Sequence, residues 1–163
     1  MRTQRTGSAR GFTILELLII MMVITLVACL AITAFFRQPH ITLDNATALL
    51  MEDMLMAKNR ALILRSEVKV SFYAEGNGYE VRDANGDLLQ NPAAKGDFIR
   101  DYTYDGVFED VKILEVDFGP DRSLSIDRHG QAKEDGRVTI GFHDATRIVE
   151  VSREGGVRLV GEP

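Results

Sequence analysis

Cysteine is almost missing from this chain: its 163 residues hold one, Cys29. A single thiol excludes both an intrachain disulfide and a cysteine-built metal centre. Histidine is nearly as scarce. His40, His129 and His143 fall in separate segments without the spacing of a metal-ligand set, and they read as surface or turn histidines. The chain also lacks GxSxG, HExxH, a P-loop and GxGxxG, so the signatures of nucleophilic hydrolysis, zinc-dependent hydrolysis and nucleotide binding are absent. One near match, Asp83-Ala84-Asn85-Gly86-Asp87, looks like the opening of a calcium loop. The loop position that should carry a bidentate glutamate is Ala94, and a tight hairpin turn is the better reading. No enzymatic activity, cofactor or metal is expected.

Basic side chains are in deficit overall, 19 Lys and Arg against 24 Asp and Glu, yet the first eleven residues reverse that balance. Arg2, Arg5 and Arg10 precede Gly11 with no acidic residue among them. From Phe12 to Phe36 the chain is then predominantly apolar for 25 residues. As a helix that run spans about 37 Å, enough for the ~30 Å hydrocarbon core of a bilayer with some tilt. The basic flank holds the N-terminus in the cytoplasm and sends everything after Phe36 across. One carboxylate, Glu16, interrupts the run. Such a charge costs roughly 2.5–3.5 kcal/mol on insertion scales, which marks it as a functional group with a partner.

The leader ending in Gly11, then Phe12, Thr13 and a glutamate at the fifth position after the glycine, resembles the class III signal of type IV pilins and type II secretion pseudopilins. The resemblance implies a prepilin peptidase that cuts between Gly11 and Phe12 and methylates the new amine of Phe12. It also implies that Glu16 meets the N-terminal amine of a neighbouring subunit in a filament. The chemistry agrees: cutting before Phe12 creates a cation at the membrane depth of the buried anion four residues on. Paired between adjacent subunits, the two charges act mainly as a register device.

Three other processing readings stand beside this one. A plain signal anchor would leave Glu16 without a role. A secretory signal would have a hydrophobic region of roughly 7–15 residues followed by small residues, whereas this run is longer and ends in Phe35-Phe36. Leu26-Val27-Ala28-Cys29 resembles a lipobox, which would make the protein lipid-anchored; against it stand Glu16 and the apolar continuation from Leu30 to Phe36. Cys29 reads more simply as a small buried thiol in a membrane helix. Loss of the three leader arginines leaves 16 basic against 24 acidic side chains, a net of −8. A protein this acidic is repelled from nucleic acid unless it concentrates a basic patch.

After Phe36, Arg37-Gln38-Pro39 mark the membrane exit and a kink, because proline removes a helical hydrogen bond. From there Leu43, Ala46, Leu50, Met54, Ala57, Ala61 and Leu64 recur at helical spacing, with Asp44, Asn45, Glu52, Asp53, Lys58 and Asn59 off the stripe. This predicts a helix with one face packed on a sheet; coiled-coil pairing is the minor alternative. If the two helical stretches join, they make a stalk of about 80 Å. Beyond Ser66 the pattern turns to short strands at 67–74, 78–83, 98–104, 111–118, 123–127, 137–142, 147–152 and 156–160. Gly76-Asn77-Gly78, Asn85-Gly86, His129-Gly130 and Gly155-Gly156 separate several of them as turns, and 84–97 reads as a loop.

The expected organisation is a leader at 1–11, a transmembrane and filament-core helix at 12–36, its amphipathic continuation at 37–65 and a periplasmic β-rich head at 66–163. The fold class is α+β: a long N-terminal helix packed on an antiparallel head of two small sheets. The tail resembles the H-type minor pseudopilins, the GspH/FimT group, through Val116-Asp117-Phe118-Gly119-Pro120, Ile148-Val149-Glu150-Val151-Ser152 and Gly156-Val157-Arg158-Leu159. That resemblance implies a minor subunit of the type II secretion pseudopilus, single-pass in the bacterial inner membrane. Its implied partners are the prepilin peptidase and other pseudopilins or pilins. The alternative it leaves open is a FimT-like minor type IV pilin acting in pilus assembly or DNA uptake. There the DNA contacts would be Arg147, Arg153 and Arg158, although the two-arginine GRxR pattern of DNA-binding members is incomplete here and Glu150, Glu154 and Glu162 dilute the patch. A charged hairpin end is the better account of these arginines, and nucleic acid is not an expected partner.

Overall fold

The structure, a computed structural model, describes the backbone of residues 13–35 and 39–161 and the side chains of 13–29 and 41–161. It divides into two compact units, Met1–Gln38 and Pro39–Pro163. The first holds helix α1, Ile14–Phe35. A run of Leu, Ile, Met, Val and Ala without glycine or proline favours helix throughout, and Thr13 starts it by accepting a hydrogen bond from the Glu16 backbone N–H at 3.2 Å. Among the described residues no helix is long and apolar enough to cross a membrane.

The second unit opens with helix α2, Pro39–Leu64. Proline suits the first position of a helix, where its missing N–H would have no partner anyway. Leu43, Ala46, Leu50, Met54, Ala57 and Ala61 are all buried, as their spacing predicts. Leu64, the last of the expected stripe, is instead 45 % exposed, because the chain leaves the helix at the next residue. Arg65 takes a left-handed φ of 50° and the Ser66 N–H returns to the Ala61 carbonyl, a Schellman closure with arginine in the usual glycine position. Asp53 departs from expectation more sharply: it is buried, at 1 % exposure.

Eight strands follow: β1 Val68–Phe72, β2 Gly78–Asp83, β3 Ile99–Asp101, β4 Val111–Asp117, β5 Ser123–Ile126, β6 Gly136–Phe142, β7 Ala145–Val151 and β8 Val157–Val160. All pair antiparallel, in two four-stranded sheets of order β3-β2-β1-β5 and β4-β6-β7-β8. Helix α2 packs on β1 and β5 of the first sheet and on β6, β7 and β8 of the second. One apolar core therefore joins all three layers, with Phe72, Tyr79, Phe98, Tyr102, Phe118 and Phe142 as its aromatic members.

The expected strand at 98–104 is shorter than its pattern suggests. Only Ile99–Asp101 pairs, and Tyr102–Tyr104 coils into a 3-10 turn, because the Asp101 side chain accepts the Thr103 N–H and draws the backbone off the ladder. Residues 84–97 contain no strand element, only isolated bridges. At the calcium-like segment, Asp83 accepts from the backbone N–H groups of Asn85 and Asp87 while Gly86 adopts φ 90°. This is a side-chain-stapled hairpin turn.

Candidate assembly surfaces

In α1, every described side chain from Ile14 to Cys29 except Glu16 and Thr25 is apolar, and all are exposed, Ile14 to 86 % and Val27 to 57 %. Contiguous apolar surface on this scale belongs against lipid or another protein. These described side chains cover about 24 Å at 1.5 Å per residue, less than the ~30 Å hydrocarbon core. Glu16 stands in the first helical turn. Among the described residues no side chain meets its carboxylate. Gly11 and Phe12, the expected cleavage pair, lie outside the described residues, as do Phe36, Arg37 and Gln38.

In the head, Asp53 joins α2 to the first sheet. Its carboxylate accepts from the Tyr79 hydroxyl at 2.8 Å, and from Arg100 Nε at 2.7 Å and a terminal guanidinium nitrogen at 3.3 Å. Three hydrogen bonds make this buried anion tolerable where an unpaired one would not be. Burial, then the neighbouring Tyr102 and Asp53, push the Tyr79 hydroxyl well above its ordinary pKa. The bond to Asp53 raises that of Arg100 in turn. The cluster thus holds a neutral tyrosine and a charged arginine against one carboxylate. Sequence pattern missed it, since Asp53 merely adjoins the apolar Met54 and its partners stand 26 and 47 residues away. The available signal was weak: an acidic residue beside the stripe and an arginine inside a short strand.

The three C-terminal arginines are not gathered into one basic patch. Arg147 lies at the start of β7, largely buried, with Nε donating to Asp44 Oδ1 of α2 at 3.1 Å. Arg158, on β8, pairs with Glu150, which also accepts from Arg137. Those bonds, Arg158 first, hold the Glu150 carboxyl below its ordinary pKa. Arg153 sits beyond the far end of β7, about 20 Å along the strand direction from Arg147, and its backbone N–H donates to Asp135. Two of the three guanidinium groups are therefore already engaged by carboxylates. Among the described residues no group of His, Cys, Asp and Glu is placed to hold a metal ion.

No protein-family model matches this sequence, and no curated protein matches it. The fold, however, matches solved structures. The type IV minor pilin FimU of Pseudomonas aeruginosa, in two crystal forms, superposes with TM-scores of 0.52 and 0.51 at 18 % and 17 % identity. The match covers 73 % of this chain and 88 % and 93 % of FimU. The minor pseudopilin EpsH from the Type 2 Secretion System of Vibrio cholerae gives 0.49 at 12 % identity, over 73 % of this chain and 96 % of that one. The chain has the type IV pilin-like α+β fold.

Proposed function

We propose that this protein is a pilin-like filament subunit, a minor pseudopilin of the type II secretion type, with a structural and not a catalytic role. The observation that carries the reading is α1: a helix of exposed apolar side chains with a carboxylate in its first turn that meets no partner among the described residues, on a chain whose head has the pilin-like fold. In this reading prepilin peptidase cuts between Gly11 and Phe12 and methylates the new N-terminus. The helix from Phe12 to Phe36 holds the subunit in the inner membrane with the head in the periplasm. Assembly then moves that helix from lipid to a bundle of neighbouring helices, where packing drives association. Glu16 takes the amine of the adjacent Phe12, which makes one stagger favourable and leaves every other with a buried unpaired charge.

A minor type IV pilin is the second reading, supported by the likeness of the fold to FimU. Either role needs the same processing, so the first test is the intact mass and N-terminal residue of the protein extracted from membranes of cells with a prepilin peptidase. A chain starting at N-methyl-Phe12 is expected. An uncut Met1 or a lipidated Cys29 overturns the reading. The systems then separate by deletion: loss of protein export with surface pili intact supports secretion, and the converse supports the pilus.

A further inference from the structure

We infer that the outer edge of β8 is a strand-addition site for an extended segment, alternately apolar and acidic, of a different filament subunit. A sheet edge with open N–H and C=O groups is a template for another strand, and folded proteins close such edges with bulges, cover or brevity. Three of the four edges in this head are closed in these ways. β3 is three residues long and leaves the ladder in the 3-10 turn at Tyr102. β5 is covered by the segment 131–133, whose Lys133 N–H donates to the Ser125 carbonyl at 2.9 Å. β4 carries a bulge between Ile113 and Glu115, and the Ile113 N–H donates to the Gly76 carbonyl of the β1–β2 turn at 2.7 Å.

β8 has neither bulge nor cover. Among the described residues it pairs with β7 alone and makes no backbone hydrogen bond on its other side. The Ser152 N–H donates to the Gly156 carbonyl at 2.9 Å, which makes these two residues a bonded pair of the β7–β8 hairpin. Alternation along the ladder then turns the N–H and C=O groups of Val157 and Leu159 outward. Leu159 is also 49 % exposed and Val160 37 %, so the open edge is apolar as well.

The register says what the incoming strand carries. Across the second sheet Asp117, Arg137, Glu150 and Arg158 are successive partners, a row of alternating charge on one face. Glu150 accepts from Arg137 Nε at 3.1 Å and from Arg158 Nε at 2.7 Å, so two guanidinium groups share one carboxylate. Arg158 ends the row with its side chain 75 % exposed, and one of its terminal nitrogens meets no acceptor among the described residues. The next place in the alternation suits an anion. On the other face Val116, Val138, Val149 and Leu159 are successive partners, and their continuation is apolar. A strand reading apolar, acidic, apolar against Val157, Arg158 and Leu159 extends both rows.

A second copy of this chain does not supply that strand. Its β8 brings the same arginine, and its β4, which holds Val116 and Asp117, is closed by the bulge and by the Gly76 carbonyl. The contact therefore stops at one partner, in keeping with a minor subunit. The inference names a mating surface within the filament reading and rests on that reading for the partner being another subunit.

The test is an NMR amide-shift titration of the isotope-labelled full chain, carrying Cys29→Ala, in detergent micelles. The probe is the end-blocked peptide Thr-Val-Asp-Val-Thr, whose symmetry lets it pair in either direction. Shifts confined to β8 and the facing residues of β7 are expected, with about fivefold weaker binding of Thr-Val-Lys-Val-Thr. Arg158→Glu should reverse that preference. Leu159→Pro removes an outward N–H and should abolish binding with the thermal melt unchanged. Equal binding of the two peptides, or no shift at β8 at millimolar peptide, overturns the inference. So does ready disulfide formation between Leu159→Cys chains in the Cys29→Ala background, which would make a second copy the occupant. Failure of cleavage at Gly11 would sink the filament reading and leave the titration unaffected, so the two are distinguishable.

Discussion

Asp53 shows how one side chain holds two layers of this head together. Asp53→Ala removes the common acceptor of Tyr79 and Arg100 and leaves a buried hydroxyl and a largely buried guanidinium without it. Breaking a buried pair from one side costs about 3–5 kcal/mol, and the 25 % exposure of Arg100 places the expected loss near ~3 kcal/mol. Tyr79→Phe removes one bond and should cost about 1 kcal/mol. Urea unfolding of the two variants checks the order; equal losses would mean that Asp53 is not the hub. Glu150 yields a prediction in pH. Its folded pKa is depressed, so its contribution to stability is present above the ordinary carboxylate pKa and disappears as the pH falls through the folded value. In an NMR titration its carboxyl carbon should respond below the usual carboxylate range, and Arg158→Ala should move that response upward.

At the scale of elements, α1 and the β1–β2 turn make opposite demands. On the filament reading, Glu16→Ala should leave cleavage before Phe12 largely intact and reduce filament assembly, read by the sheared filament fraction against total processed subunit. Normal assembly of that variant would remove Glu16 from the account. Gly78 opens β2 where a Cβ would lie 1.9 Å from the Arg100 carbonyl oxygen of β3. Gly78→Ala should therefore cost about 1–3 kcal/mol through forced separation of the two strands, measured by thermal melting. Most of these elements were legible in the sequence, because burial repeats locally: every three or four residues along α2, every two along the strands, with glycines at Gly76, Gly86, Gly130 and Gly155 turning the chain at positive φ. The rest depended on partners distant in the chain. Tyr102 looked like the next strand residue, but its turn is set by the Asp101 side chain. Asp53 looked like a solvated face, but its ligands arrive from β2 and β3.

For the molecule as a whole, the unit Pro39–Pro163 has its own core spanning α2 and both sheets. We expect the fragment 39–163 to unfold in one cooperative urea transition whose midpoint is unchanged by reductant, since it has no cysteine. Two separate transitions would show that the sheets are independent. That same construction has a mechanical meaning. With no covalent cross-link, a pull along the axis of α2 is resisted by the buried row from Leu43 to Ala61 and by polar ties that include Asp44 to Arg147, Asp53 to Tyr79 and Arg100, Lys58 to the Gly155 carbonyl and Arg60 to the Gln90 carbonyl. These contacts are spread along the helix and load in parallel, as in shear, instead of giving way one after another as in peeling. Under such a pull the lifetime of the head is set by the barrier to sliding the helix past two sheets together, and so by a rate of unfolding more than by its equilibrium stability.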